Sequence, residues 1–427
     1  MLLLRLSQIF LFTLPFQFAL PLFPGVDLAF ARIFSLTLFF LWLISGLIRK
    51  NVVIPFSPAA FLLISFIFLS SISFLWAENA GWALRRATFF LSLFPLFFIF
   101  SSIVTNTGRK GASLLIEAFV FGAGLAAFIG VIQFFSQFIF GASRVFHFWI
   151  ESVFPIFLGP SFAGAVAQYP SLLANIGGAT LLRATAFFPD PHMFAFYMGM
   201  AAPLAFGLFY RETFPRKKLL FMIIFVLVLS ADLLSFSRGG YLGLFCGGIF
   251  LFGVSLARGK KTSIIFLLGA VPFVLFPILF FDNPVKSRFI SSFSLEDGSN
   301  QGRLDLWRQA SEDIAEQPWL GYGVGNYPLK ANPRAAYREP IYTHNMFLDI
   351  ASETGVIGSS LFFLAFFLIL RGFLRERTTL GLSTSIALVV FLGHSLVEFP
   401  LYSVHIFPVI LLLFAIPGAL TASEQSP

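Results

Sequence analysis

Apolar runs of roughly 18 residues or more recur along this chain, each long enough to cross about 30 Å of hydrocarbon as a helix. A helix satisfies its own backbone hydrogen bonds where no water is present, so such runs constrain the fold to a helical bundle. Composition agrees. With 58% hydrophobic residues, 11% charged residues and 62 Phe, 427 residues carry too little polar surface to cover a water-soluble globule. The expected class is therefore all-α, a polytopic transmembrane bundle of about 12 helices with one large outer loop containing amphipathic helices.

The runs place spans near 8–24, 31–48, 54–76, 87–105, 112–140, 190–210, 218–236, 240–257, 262–281, 345–370, 379–397 and 400–420. Alternate short connections carry Arg49 and Lys50, Arg109 and Lys110, the cluster Arg211, Arg216, Lys217 and Lys218, then Arg258, Lys260 and Lys261, then Arg371, Arg375 and Arg377. With Arg5 they hold just over half of the 28 Lys and Arg, which sets both termini in the cytoplasm and the 282–344 loop outside. The chain divides into helices 1 to 9 over 1–281, with an aromatic outer segment at 141–189, the loop at 282–344, and helices 10 to 12 with a short cytoplasmic tail over 345–427. A short interfacial helix is expected within 141–189, where Phe146, Phe148 and Trp149 cluster.

The formal charge of +8 is mainly this topology signal, which argues against a nucleic-acid partner. Cys246 has no second cysteine with which to form a disulfide. Arg5, the apolar centre and Ala29-Phe30-Ala31 mimic a signal peptide, but Pro15, Pro21 and Pro24 interrupt the run and favour an uncleaved first helix.

The motifs GxxxxGK[ST], HExxH, CxxC and DxD are missing, and GYGVGN lacks the strand-to-helix setting of a dinucleotide fingerprint. No metal site or cofactor is expected. What stands out is arginine on the outer side, against the insertion bias: Arg85, Arg86, Arg183, Arg238, Arg303 and Arg308. The guanidinium fork suits phosphate, although snorkelling or carboxylate pairing is the plainer use of each. Arg308 has Glu312 within reach on an amphipathic helix expected over 303–316, with Leu304, Trp307, Ala310 and Ile314 on its apolar stripe.

His344 stands where the outer loop enters a membrane helix, and a neutral imidazole there can act as a general base. Asn345, Asp349 and Glu353 follow at i, i+4 and i+8 as a polar stripe that must face protein or a wet cavity. His394 and Glu398 near the last outer turn are expected to close the same site, and Tyr322 lies within the polar interval. His147, His192 and His405 are read as structural.

Four ordered motifs, SRGGYLGL, GRLDLWRQASEDIAEQPWLGYGVGNYP, THNMFLDIASETGVIG and HSLVEFPLY, together resemble the O-antigen ligase and polymerase superfamily over roughly Arg183 to Tyr402. The resemblance implies a bacterial inner-membrane glycosyltransferase of the GT-C class. Such enzymes move a glycan from undecaprenyl diphosphate to an acceptor on the periplasmic side, without a nucleotide sugar and, for ligases, without a metal. It implies catalytic roles for His344, Arg303 and Arg238; the placement of the polar residues themselves adds substrate contacts expected from Arg183, Arg85, Arg86, Tyr322, Asn345, Glu353 and Glu398. Tyr327 stands where the family commonly has Phe. A ligase acting on lipid A-core is favoured, with a Wzy-type polymerase or a protein O-oligosaccharyltransferase as alternatives. A lipid-linked sugar transporter fits less well, since no internal repeat is visible.

Overall fold

The computed structural model describes residues 1–23, 26–50, 52–176, 178–259, 286, 298–337, 339 and 341–425. Among them the α-helices are α1 (Leu2–Thr13), α2 (Phe30–Ile48), α3 (Pro58–Ile72), α4 (Ala80–Leu93), α5 (Pro95–Phe140), α6 (Ala142–Phe148), α7 (Phe154–Leu158), α8 (Pro160–Val166), α9 (Pro191–Arg211), α10 (Pro215–Leu234) and α11 (Arg238–Ala257). Further along come α12 (Gly298–Glu316), α13 (Tyr327–Ala331), α14 (Met346–Glu376), α15 (Thr379–His394) and α16 (Phe407–Gln425). Among the described residues six stretches are long and apolar enough to cross a membrane: 30–48, 58–75, 80–140, 191–211, 238–257 and 346–376. With the shorter apolar helices they make an all-α, multi-pass membrane protein. The span expected at 262–281 and most of 282–297 lie outside the described residues.

Three expected boundaries change. The first run is not one helix to residue 24: Pro15 ends it in a 3-10 turn, and Ala19–Phe23 pairs antiparallel with Val26–Ala29. In place of a loop between the fourth and fifth spans, two helices meet directly at Gly108, whose φ of 61° only glycine adopts freely. The last span begins at Phe407, because residues after His394 turn rather than coil.

The chain folds into two compact units, residues 1–122, 303–377 and 398–427 in one, and 123–302 with 378–397 in the other. In the first, α3 packs on α14 and α4, α2 on α4, and α16 on α14. Lipid gives helices no hydrophobic reason to associate, so dispersion between fitted side chains holds them. Phenylalanine supplies it here: the Phe66 ring lies 4.9 Å from Phe362, and the Phe90 ring 5.3 Å from Phe407. Each such pair adds about 0.5–1.5 kcal/mol beyond area burial.

Helix α14 is broken at Gly355 (φ 65°, ψ −171°), and the freed backbone groups are taken up by the glycine loop. Tyr322 N donates to Ser352 O (2.9 Å) and Gly323 N to Glu353 O (2.9 Å), while Val356 N donates to Pro318 O (2.7 Å). Irregular backbone at membrane depth thus finds protein partners instead of lipid. Gly323 (φ 86°) has to be glycine for a second reason: a Cβ there would stand 2.6 Å from Ala77 Cβ. The same loop hooks the start of α4, with Val324 N on Ser73 Oγ (3.0 Å) and Asn79 N on Asn326 Oδ1 (2.8 Å).

In the second unit α9, α10, α11 and α15 pack together. Gly239, Gly243 and Gly247 recur every fourth residue on α11 and bring it against α15. A Cβ on Gly243 would lie 2.6 Å from Val390 O, and one on Gly247 2.6 Å from Val390 Cγ2. The aromatic segment at 141–189 forms three short helices, α6 to α8, and a hairpin of Leu173–Ile176 with Ala179–Leu182, rather than one interfacial helix. Phe154, Leu158, Val166 and Leu172 form its own small core. Trp149 ties it down by donating Nε1–H to Ala186 O at 2.7 Å.

Candidate functional site

The first unit builds a site around Glu398, whose side chain is 1% exposed. One carboxylate oxygen accepts from Arg303 at 2.9 Å, and the other faces His344 Nδ1 at 3.1 Å. An ionised carboxylate can only accept, so Nδ1 carries a proton toward Glu398, and in the neutral imidazole the lone pair is then on Nε2. Removing such a charge from water costs several kcal/mol, and two charge-assisted contacts of about 1.5–3 kcal/mol each offset it. His344 and Arg303 retain 28% and 15% side-chain exposure, so both remain reachable while their common anchor is not.

Local sequence explains how His344 is held. Its φ is 55°, a left-handed backbone that His tolerates better than most residues but adopts only when fixed from both sides. On one side Thr343 N donates to Asp349 Oδ1 (3.0 Å), and Thr343 O accepts from Trp307 Nε1 (2.9 Å). On the other, Asn345 caps α14 by accepting from Phe347 N (2.9 Å) and Leu348 N (3.2 Å). The polar stripe expected from Asn345, Asp349 and Glu353 is therefore present, and its first two members hold the backbone around His344. The Tyr342 ring lies 4.3 Å from the imidazole.

Helix α12 presents Arg303 on a face that differs from the expected one. The helix begins at Gly298, and Arg303, Leu306, Trp307, Ala310, Asp313 and Ile314 turn inward while Leu304 is 46% exposed. Trp307, Ala310 and Ile314 keep the inward positions expected of the apolar stripe, and Arg303, held by Glu398, joins them in place of Leu304. Arg308 pairs with Asp305 (3.7 Å), not Glu312, in keeping with the preference for the acid on the N-terminal side.

Tyr322 works inside the unit. Its hydroxyl donates to Glu316 (2.9 Å), which also accepts from Lys330 (2.8 Å), and Lys330 lies 5.0 Å over the Tyr322 ring. The Lys330 hydrogen bond, then that of Tyr322, holds Glu316 below the usual carboxylate range, while burial first pushes the Tyr322 phenol up. This cluster pins the end of α12 to the glycine loop.

Arg85 and Arg86 gather around aromatic rings. Arg85 lies 4.7 Å over the Tyr337 ring, and Arg86 lies 5.4 Å from Tyr337 and 4.1 Å from Tyr402. Trp82 meets Tyr337 edge-on at 5.3 Å, and the Tyr402 hydroxyl donates to Glu353. Of these partners, Tyr402 was within reach of sequence reasoning, since it closes the HSLVEFPLY motif four residues after Glu398. Tyr337 and Trp82 carry no such signal.

In the second unit Arg238 opens α11, where Ser237 caps the helix by accepting from Gly240 N (3.3 Å). Ser237 Oγ also lies 3.0 Å from His192 Nδ1 and 3.3 Å from His394 Nε2, and the His394 ring stacks on Phe196 at 3.5 Å. His394 thus supports the Arg238 turn, whereas Glu398 belongs to the His344 site. Arg183 is 2% exposed and braces backbone, with Nε on Ser235 O (2.7 Å) and Nη1 on Ser171 O (2.8 Å). Among the described residues no three His, Cys, Asp or Glu side chains are grouped to hold a metal ion.

Comparison with known proteins adds a second line of observation. Residues 223–363 match the family described as O-Antigen ligase, a segment that includes Arg238, Arg303 and His344 and leaves Glu398 outside. A stretch of 184 residues is 27% identical to an O-antigen polymerase of Salmonella muenchen, covering 42% of this chain and 44% of that one. A stretch of 161 residues is 30% identical to a Rickettsia conorii protein provisionally named a polysaccharide ligase, covering 34% of this chain and 38% of that one. The chain thus spans under half the length of either relative.

Proposed function

We propose that this chain, whose residues 223–363 carry the O-antigen ligase domain and bear out the superfamily resemblance, is an O-antigen ligase-like glycosyltransferase. It moves a glycan from undecaprenyl diphosphate to an acceptor hydroxyl, on lipid A-core or a similar glycan, at the periplasmic face of a bacterial inner membrane. The 282–344 loop is then periplasmic and both termini cytoplasmic, as the distribution of Lys and Arg favours.

The observation that carries this reading is the single buried carboxylate gripping both His344 and Arg303. His344 Nε2 takes the proton of the acceptor hydroxyl as its oxygen bonds to the anomeric carbon. The bond from that carbon to the diphosphate oxygen breaks, and the electron pair leaves with the lipid diphosphate. Glu398 stabilises the imidazolium that forms, and the Arg303 donors not used by Glu398 meet the growing negative charge, an electrostatic role typical of preorganised sites. Arg238, at the head of α11, retains the phosphate-binding role that the resemblance implies. Preorganisation supports the assignment: the base, its orienting carboxylate and the cation are held by helices α12 and α14 and the turn after His394.

The Salmonella relative, named a polymerase, favours a second reading in which the acceptor is another lipid-linked glycan. One assay covers both. Purified protein is incubated with undecaprenyl diphosphate-linked glycan and either lipid A-core or the lipid-linked glycan alone, and release of undecaprenyl diphosphate is followed. A single added glycan supports the ligase, a ladder the polymerase, and no turnover with either acceptor refutes both. His344→Ala and Arg303→Ala are expected to abolish transfer while leaving expression intact.

A further inference from the structure

The pair Arg85 and Arg86 has no part in the transfer step above, yet its arrangement is unusual. Both guanidinium groups approach one ring, that of Tyr337, and Arg86 also covers Tyr402. Among the described residues neither arginine has a carboxylate within ion-pair distance or a protein acceptor for its N–H groups, and Arg86 Nε is buried without a hydrogen-bond partner. The carboxylate of Glu353 accepts from Tyr402 and attracts Arg86 from beyond ion-pair distance, and Glu78, just ahead of α4, is exposed and forms no ion pair. Two adjacent like charges repel, aromatic faces offset this by only about 0.5–2 kcal/mol each, and the Glu353 carboxylate acts on Arg86 without a hydrogen bond, so the pair keeps N–H donors for a further anion.

Position connects this pair to the transferase site in the same unit. Tyr402 follows Glu398 by four residues in the same connection, Glu353 lies on α14 beyond His344, and Tyr337 and His344 share one connecting segment. The glycine loop fixes the head of α4 through Asn79, so the arginines are carried on a braced helix. Two guanidinium groups offer up to ten N–H donors, which a phosphate with three acceptor oxygens uses better than a carboxylate with two.

We infer that Arg85 and Arg86, ordered by Tyr337 and Tyr402, form a second anion subsite that takes a phosphate group on a saccharide substrate, separate from the phosphate contacts of Arg303. The inference rests on the transferase reading for its saccharide and on the geometry alone for its phosphate. The phosphate belongs either to the acceptor saccharide or to the lipid-linked donor, and kinetics distinguishes them.

The test compares wild type with R85Q/R86Q, using undecaprenyl diphosphate-linked glycan as donor and core saccharide before and after removal of its phosphates by hydrofluoric acid. Loss of both guanidinium groups is expected to raise one KM about tenfold or more, with kcat changed far less. A rise in acceptor KM that disappears with the dephosphorylated saccharide assigns the phosphate to the acceptor, and a rise in donor KM assigns it to the donor. Unchanged KM for both, in a variant that elutes and melts like wild type, overturns the inference.

A second measurement does not depend on turnover. Trp82 touches Tyr337, so inorganic pyrophosphate should give a saturable change in tryptophan emission that W82F lacks and R85Q/R86Q shifts about tenfold to higher concentration. An identical titration in R85Q/R86Q overturns the subsite whatever the catalytic result. Binding without transfer refutes the transferase reading alone. Should the double variant not fold, R85Q, at an exposed position, carries the same test with a smaller shift.

Discussion

Replacing Glu398 by Gln exchanges one carboxylate oxygen for an amide NH2 and tests the proposed site at its centre. The carboxylate serves two donors at once, Arg303 at 2.9 Å and His344 Nδ1 at 3.1 Å, and the amide retains only one acceptor oxygen. If that oxygen keeps Arg303, the amide N–H faces Nδ1, the imidazole takes the other tautomer, and Nε2 carries a proton where the base is needed. If it keeps His344, the amide N–H confronts Arg303, which loses its anchor. Either arrangement forfeits one charge-assisted hydrogen bond, about 1.5–3 kcal/mol, and cancels a general base worth ~10² to 10⁴ in rate. E398Q is therefore expected to lower kcat about a thousandfold with much less change in KM. Breaking the buried pair costs folding stability too, about 2–3 kcal/mol, at the low end because Arg303 keeps some contact with solvent. The assay is lipid diphosphate release under saturating substrates, paired with a thermal midpoint in detergent. The decisive control is E398Q/H344A: groups acting as one unit give a double variant no slower than H344A. Near-normal turnover in a folded E398Q, or losses that multiply in the double variant, would refute the reasoning.

The remaining expectations concern the scaffold. Gly355→Ala should destabilise by about 3 kcal/mol or more, because φ of 65° and collision of its Cβ with the Trp319 carbonyl both oppose a side chain. Gly253→Ala in α11, with open space around its Cβ, should raise the midpoint slightly; equal effects of the two on thermal melting would contradict the account of the break in α14. Arg183→Met should lower stability by about 3 kcal/mol through loss of two carbonyl contacts while leaving both KM values unchanged. A specific rise in KM would return Arg183 to the substrate. Glu316 has its pKa lowered by Lys330 and then Tyr322, so its contribution is complete above the ordinary value of 4.5 and is lost as pH falls through the lower folded value. The melting difference between wild type and E316Q should narrow over that acid range, and a difference that widens there would show the sign to be wrong.

How much of this site could be read in the sequence depends on how far apart its parts lie. Apolar runs announced most helices because membrane length leaves a continuous signal, and His344, Arg303 and Glu398 stood out as polar groups in apolar surroundings. Their meeting did not, because 54 residues separate His344 from Glu398 and 95 separate Arg303 from it. Periodicity placed Trp307, Ala310 and Ile314 inward but misassigned Leu304, which is exposed, while Arg303 shares the inward face and meets Glu398. The first run failed for a related reason, since uninterrupted apolarity cannot separate strand from helix and its prolines left Ala19–Phe23 to pair as a hairpin. The glycines of GYGVGN were legible as a turn, but not as partners for a broken helix, because the break at Gly355 lies within a pattern that otherwise reads as one span. Sequence thus marks what must leave lipid, while the partner that receives it is set by packing. Glu398 illustrates the consequence: it lies outside the family match, yet it is the group that contacts both the matched His344 and the matched Arg303.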